Sequence, residues 1–258
     1  MKVTRSVIPN LFTVVNLFCG FASIVHSMEH DYAAAAMMIV LGGIFDGLDG
    51  MMARLTRSSS EFGVELDSLA DLATFGLAPS VMVYTLYFNT LNPLGMLLAA
   101  LPAICGALRL ARFNVQLVGF DKNYFRGLPI PAAAVTIVSF VYFHYDASSP
   151  AALQTSNMWL ATLTILTALL MVSTIKYETI PKLTKSGIAA HPLQFAVFLI
   201  ALTLIVATVG KAVFPLCALY IVFGAIRSFI GYLRHRFANT EEDEDVYEED
   251  DGAHELAR

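Results

Sequence analysis

The chain has 258 residues, of which 57% are hydrophobic and 14% charged, with a formal net charge of −5. Soluble domains carry about one quarter charged residues, so this balance excludes an ordinary soluble fold or a nucleic-acid binder and predicts an all-α polytopic membrane protein. The net charge joins two unlike parts. From Thr240 the chain has ten acidic residues and one Arg, whereas the 239 residues before it hold 15 basic against 11 acidic.

A membrane span needs about 20 mostly apolar residues. Eight are predicted, at 9–27, 32–55, 63–88, 93–115, 129–146, 157–176, 192–209 and 213–233. The first, with Lys2 and Arg5 ahead of it, imitates a signal peptide but lacks a small-residue cleavage site, so it is read as a retained helix. The loops alternate in charge. Arg54 and Arg57 follow the second span, and Arg109, Arg112, Lys122 and Arg126 lie around the end of the fourth. Lys176, Lys182 and Lys185 follow the sixth, and Arg227, Arg234 and Arg236 end the eighth. The alternate loops 28–31, 89–92 and 147–156 hold no Lys or Arg, and only Lys211 sits on that side. By the positive-inside rule both termini face the cytoplasm of an inner cell membrane, and so does the region flanked by Arg54 and Arg57.

That region is the chemical anomaly of the chain. Asp46 and Asp49 are three apart, Asp67 and Asp71 four apart, and apolar sequence surrounds both pairs. Each pair shares one face of a helix. A carboxylate at membrane depth costs about 2.5–3.5 kcal/mol on insertion scales. Four facing one another repel unless a divalent cation sits among them, and oxygen-only ligands select a hard ion such as Mg²⁺, Mn²⁺ or Ca²⁺. Helix capping or interhelical salt bridges are a poorer account. Arg54 and Arg57 cannot neutralise four aspartates together with Glu61 and Glu65. Glu65 falls roughly on the opposite face from Asp67 and is read as a solvent or interface residue rather than a ligand.

Written out, the motif is Asp46-x-x-Asp49-Gly50-x-x-Ala53-Arg54, eight residues, then Gly63-x-x-x-Asp67-x-x-x-Asp71. It resembles the signature of the CDP-alcohol phosphotransferases at every defining position. The resemblance covers about residues 1–180 and implies a six-helix catalytic core there. Two additional transmembrane helices then occupy 181–238, and 239–258 form an acidic, disordered cytoplasmic tail. It also implies that Asp46, Asp49, Asp67 and Asp71 bind metal, two divalent ions (Mg²⁺ or Mn²⁺), and that Asp71 is in addition the catalytic base. Asp49, Gly50, Ala53, Arg54, Gly63 and Asp67 would contact the CDP group. Gly50, Ala53 and Gly63 are small where a side chain would block a nucleotide, while Arg54 is placed either to meet nucleotide phosphate or to hold an aspartate. One departure is Met51 and Met52, where a basic residue is expected.

The acceptor alcohol is read from other segments. IPNLFTVVNLFCGFAS (8–23), EFGVELDSLADLATFGLAPS (61–80), GALRLARFN (106–114) and RGLPIPAAA (126–134) together resemble the membrane-type phosphatidylserine synthases of bacteria and archaea. That implies transfer of a phosphatidyl group from CDP-diacylglycerol to L-serine, with CMP released, in contact with membrane lipids and in a homodimer. Arg109, Arg112 and Arg126 are the candidate groups for the serine carboxylate or a phosphate, since an Arg fork matches either. Asn114 would add a polar contact. Glycerol 3-phosphate or inositol phosphate as acceptor is the same-family alternative. A divalent-cation transporter is the alternative from another class, disfavoured because no comparable acids line the other halves of the helices. Cys19, Cys105 and Cys217 have no ligand or redox spacing and are read as packing residues. The six His residues are scattered and form no ligand pair.

Overall fold

Helices occupy all eight predicted spans. The computed structural model describes residues 3–56, 60–117, 125–177, 192–228 and 230. In chain order the helices are α1 (Val3–Met28), α2 (Tyr32–Thr56), α3 (Glu61–Asp71), α4 (Ala78–Leu86) and α5 (Asn92–Leu117), then α6 (Ile130–His144), α7 (Pro150–Val172), α8 (Pro192–Ala207) and α9 (Val213–Ser228). Among the described residues, five stretches are long and apolar enough to cross a membrane: Pro9–Met28, Tyr32–Ala53, Glu61–Leu86, Phe88–Val115 and Pro150–Val172. α6, α8 and α9 are shorter apolar helices. The protein is therefore an all-α polytopic membrane protein. Its chain divides into two units, Met1–Ala218 and Leu219–Arg258, and every residue of the site described below belongs to the first.

The inside-out distribution of side chains fits a lipid solvent. Leu11, Phe18, Phe21, Leu108 and Leu169 are exposed, while Thr13, Asn16, Ser23, Thr74, Thr164 and Thr167 are buried. Small and polar residues at helix interfaces let backbones approach and satisfy hydroxyls internally. Thr136, Thr164 and Thr167 each donate to the carbonyl four residues back, all at 2.7 Å.

Two predicted spans differ from what is found. The third was expected as one helix, but between α3 and α4 the chain makes a π-helix, Leu72–Leu77, in which Ala78 N–H reaches back five residues to the Ala73 carbonyl. Pro79 supplies the reason. It has no N–H to give to Phe75, and its ring clashes with that carbonyl in a regular α-helix, so the turn before it widens. The sixth span starts at Pro150 rather than 157. Ser149 caps it by accepting from Ala152 N–H at 3.1 Å, and Pro150 takes the first turn, where a missing N–H costs nothing. The polar run Gln154–Asn157 hides this turn from a hydropathy window.

The widened turn lodges between the first two helices. A Cβ on Gly20 of α1 would stand 2.6 Å from Thr74 Oγ1, and one on Gly42 of α2 would stand 2.6 Å from Thr74 Cγ2. Only glycine admits Thr74 to that depth. The Thr74 hydroxyl then donates to the Asn16 carbonyl at 2.9 Å, pinning the π-turn to α1 immediately beyond Asp71.

Candidate active site

α2 delivers Asp46 and Asp49 near its end. Its start is fixed by Asp31, whose carboxylate accepts from Ala34 N–H at 3.0 Å. α3 delivers Asp67 and Asp71. Ser60 caps it, accepting from Gly63 N–H at 3.0 Å. α1 lies against both helices and holds them together; Phe12 stacks on Phe45 with ring centroids 6.2 Å apart.

The four aspartates converge. Asp46, Asp49 and Asp67 each offer a carboxylate oxygen, and these oxygens lie within 4.8 Å of one another. The Asp71 carboxyl touches that of Asp46. Asp49 is buried, and its carboxylate accepts from the Thr13 hydroxyl at 2.9 Å. Asp67 Oδ1 and Asp71 Oδ1 are buried with no hydrogen-bond partner among the described residues. Bare carboxylate oxygens in an apolar bundle are costly, and a hard cation is the group that satisfies several at once. This donor set fits a divalent ion.

A cavity of about 120 Å³ opens beside the cluster. It is lined by Asn10 and Thr13 from α1, by Asp49, Gly50 and Ala53 from α2, and by Ser60, Gly63 and Asp67 at the start of α3, among others. A Cβ on Gly50 would meet nothing within 4 Å and would point into open space, whereas one on Gly63 would crowd Ser60 Oγ at 3.1 Å and Asn10 Oδ1 at 3.3 Å. The two glycines thus differ. Gly50 borders the cavity without a close neighbour, and Gly63 lets the capped end of α3 approach α1.

Arg109 and Arg112 belong to α5, whose end meets α3 and α7. Asn114 of α5 donates to Ser68 of α3 at 3.0 Å, which ties the end of α5 to the helix carrying Asp67 and Asp71. Arg109 is buried. The Arg112 guanidinium donates to the carbonyls of Val172 at 3.1 Å and Ser173 at 3.3 Å, so it sits on the negative end of the α7 dipole. The backbone of Arg126 lies in β1 (Phe125–Arg126), which pairs antiparallel with β2 (Lys176–Tyr177) just past α7. Gly127 follows with φ +85°, where a Cβ would collide with the Met171 carbonyl. The side chains of Arg54 and Arg126, and Arg57, Lys122, Lys182, Lys185 and the acidic tail, lie outside the described residues. Glu65 is exposed, as expected of an interface residue. Cys19 and Cys105 are buried and free, as packing residues are.

Sequence reasoning missed the contribution of α1. Thr13 bonds an aspartate, and Asn10 walls the cavity. Both look like ordinary polar interruptions of an apolar run, and only their position opposite α2 and α3 gives them a role.

Residues 6–170 match the CDP-alcohol phosphatidyltransferase family. The chain belongs to that family. Among its relatives, a CDP-diacylglycerol–serine O-phosphatidyltransferase of Helicobacter pylori is 37% identical over 223 residues, which is 85% of this chain and 90% of the relative. One of Methanocaldococcus jannaschii is 36% identical over 228 residues, 87% of this chain and 95% of the relative. One of Bacillus subtilis is 41% identical over 137 residues, 52% of this chain and 76% of the relative. The CDP-alcohol phosphatidyltransferase match contains all four aspartates and ends before α8.

Proposed function

We propose that this protein is a CDP-diacylglycerol–serine O-phosphatidyltransferase. The observation that carries the reading is the convergence of four aspartates beside a glycine-lined slot, in a chain whose near-full-length relatives bear that name. The reaction joins the serine hydroxyl oxygen to the lipid-side phosphorus, breaks the pyrophosphate bond and releases CMP. Asp71 takes the hydroxyl proton, which is later lost to water. A base in that role contributes about 10²–10⁴-fold. Asp46, Asp49, Asp67 and Asp71 would hold one or two Mg²⁺ or Mn²⁺ ions, which neutralise charge on phosphoryl oxygens when bound.

Thr13 orients Asp49. Gly50, Ala53 and Gly63 keep the slot wide enough for cytidine and pyrophosphate, with Arg54 on the phosphate side. The capped start of α3 adds backbone N–H groups, which favour an anion at a helix N-terminus. The arginine cluster of Arg109, Arg112 and Arg126 receives the serine carboxylate or a substrate phosphate. Arg112 also fixes the end of α7, from which the strand pair holding Arg126 departs.

The catalytic core is residues 1–180, with two further helices in 181–238 and the acidic tail in 239–258. Loop charge favours a cytoplasmic-membrane protein with both termini and the site on the cytoplasmic side. The family resemblance favours a homodimer. The test is purified protein in detergent with CDP-diacylglycerol, Mn²⁺ or Mg²⁺, and serine, glycerol 3-phosphate or inositol phosphate in parallel. CMP release with serine alone is expected; release only with another alcohol overturns the acceptor.

A further inference from the structure

Asn16 lies midway along α1 and is fully buried. Its backbone carbonyl is occupied by Thr74. Its side chain is not: both Nδ2 and Oδ1 lack a hydrogen-bond partner among the described residues. A primary amide carries two donor hydrogens and an acceptor oxygen, and leaving them bare inside a membrane bundle is costly. A buried polar group that the chain leaves bare is one that a bound group or a movement of its neighbours can complete.

The helix register says what. A three-residue loop joins α1 to α2, so the pair is antiparallel. Thr13 on α1 faces Asp49 on α2. One turn deeper, Asn16 follows Thr13 by three residues and Asp46 precedes Asp49 by three. Gly42, one turn before Asp46 on α2, shows where the amide lies, since a Cβ there would stand 2.8 Å from Asn16 Oδ1. The Asn16 amide therefore packs against the turn of α2 that runs from Gly42 to Asp46. Asp49 has its donor in Thr13, whereas Asp46 makes contact with another carboxyl, that of Asp71.

We propose that Asn16 is a positioning residue whose amide would hydrogen-bond the Asp46 carboxylate when a divalent cation is held by the aspartates. The proposal rests on the reading of Asp46 as a cation ligand. Carboxylates that ligate metals are themselves held by hydrogen bonds, and loss of such a partner costs about 10–100-fold in metal affinity or activity. Thr13 and Asn16 would then form a pair on one face of α1, one donor for each aspartate of α2. In the cation-free protein the Asn16 amide has no partner among the described residues, so its removal should not weaken the fold.

The experiment uses the full-length protein in detergent, wild type and Asn16→Leu, a variant of similar size without the amide. Melting temperature is measured in chelator, and Mn²⁺ affinity by electron paramagnetic resonance titration. The expected result is a melting temperature in chelator equal to or above wild type, with Mn²⁺ affinity about 10–100-fold weaker. Asn16→Ala gives the same pair of readings if the leucine overpacks. Unchanged Mn²⁺ affinity overturns the proposal. So does a melting temperature in chelator that falls for both variants, since that assigns Asn16 to packing alone. Wild-type protein that binds no Mn²⁺ removes the cation reading itself, and that outcome is distinct from both.

Discussion

Aspartates at two places in this molecule have opposite surroundings. Asp31 and Asp146 lie in loops between helices. Asp31 accepts from Ala34 N–H, and Asp146 accepts from Ser148 N–H at 2.8 Å. The Ser148 backbone and side chain hold the Asp146 carboxyl below the usual carboxylate range. These are turn and cap residues whose charge is met by nearby donors and water. Asp67 and Asp71 are the reverse: each keeps a buried oxygen without a hydrogen-bond partner among the described residues, in a cluster with two more carboxylates. The same side chain is finished by the protein in one place and left unfinished in the other. An acidic cluster left without such donors is one that a bound cation would complete, whereas a finished aspartate is structure.

The contrast predicts a graded series of effects. Asp71→Asn should lower CMP release by about 10²–10⁴-fold, while Mn²⁺ still binds through Asp46, Asp49 and Asp67. Turnover near wild type would remove Asp71 from the role of base. Chelator should stop CMP release and added Mn²⁺ restore it, and Asp67→Asn should weaken Mn²⁺ binding at least about tenfold; undiminished turnover in chelator would refute the cation. Thr13→Val deletes the hydroxyl that Asp49 uses. Hydrogen bonds to charged groups contribute about 1.5–3 kcal/mol, roughly ten- to a hundredfold in affinity. The expected deficit is in Mn²⁺ titration, and a variant that binds as wild type does would show that Thr13 merely packs.

Asp146→Ala should have the smallest effect, with CMP release unchanged, because its carboxylate serves only its own loop. A depressed carboxyl stabilises the fold at pH above its ordinary value, and that contribution disappears as pH falls through the depressed value. Any stability difference between Asp146→Ala and wild type should therefore be confined to neutral pH and vanish in acid. A melting curve taken at both pH values checks it, and a loss of turnover at neutral pH would mean that the two kinds of aspartate are not separate after all.

Much of the site was legible because it is local. All four aspartates, Gly50, Ala53 and Gly63 fall within 26 residues of chain, and a three- or four-residue spacing puts each acid pair on one helical face whatever the rest of the fold does. The span positions were legible for a similar reason, since lipid demands apolar length. Pro79 was visible too, but a hydropathy window counts it as one residue among twenty and passes over its effect on the backbone, so the π-turn was missed. Arg112 shows a different limit. Its spacing from Arg109 suggested an anion fork, but nothing in that spacing shows the hydrogen bonds it also gives to the carbonyls that end α7, sixty residues away in sequence. No local pattern announces such a partner.

Sequence alone determined the solvent, the helices and the chemistry of the acids, because composition, apolar run length and side-chain spacing act over a few turns of chain. Tertiary structure alone decided which groups complete the site. Thr13 reaches Asp49 across 36 positions, Thr74 enters between Gly20 and Gly42, and the Asn16 side chain packs against Gly42. Each depends on the register of one helix against another. That register is set by close contacts between small residues that no single helix contains, and so it exists only once the helices have packed.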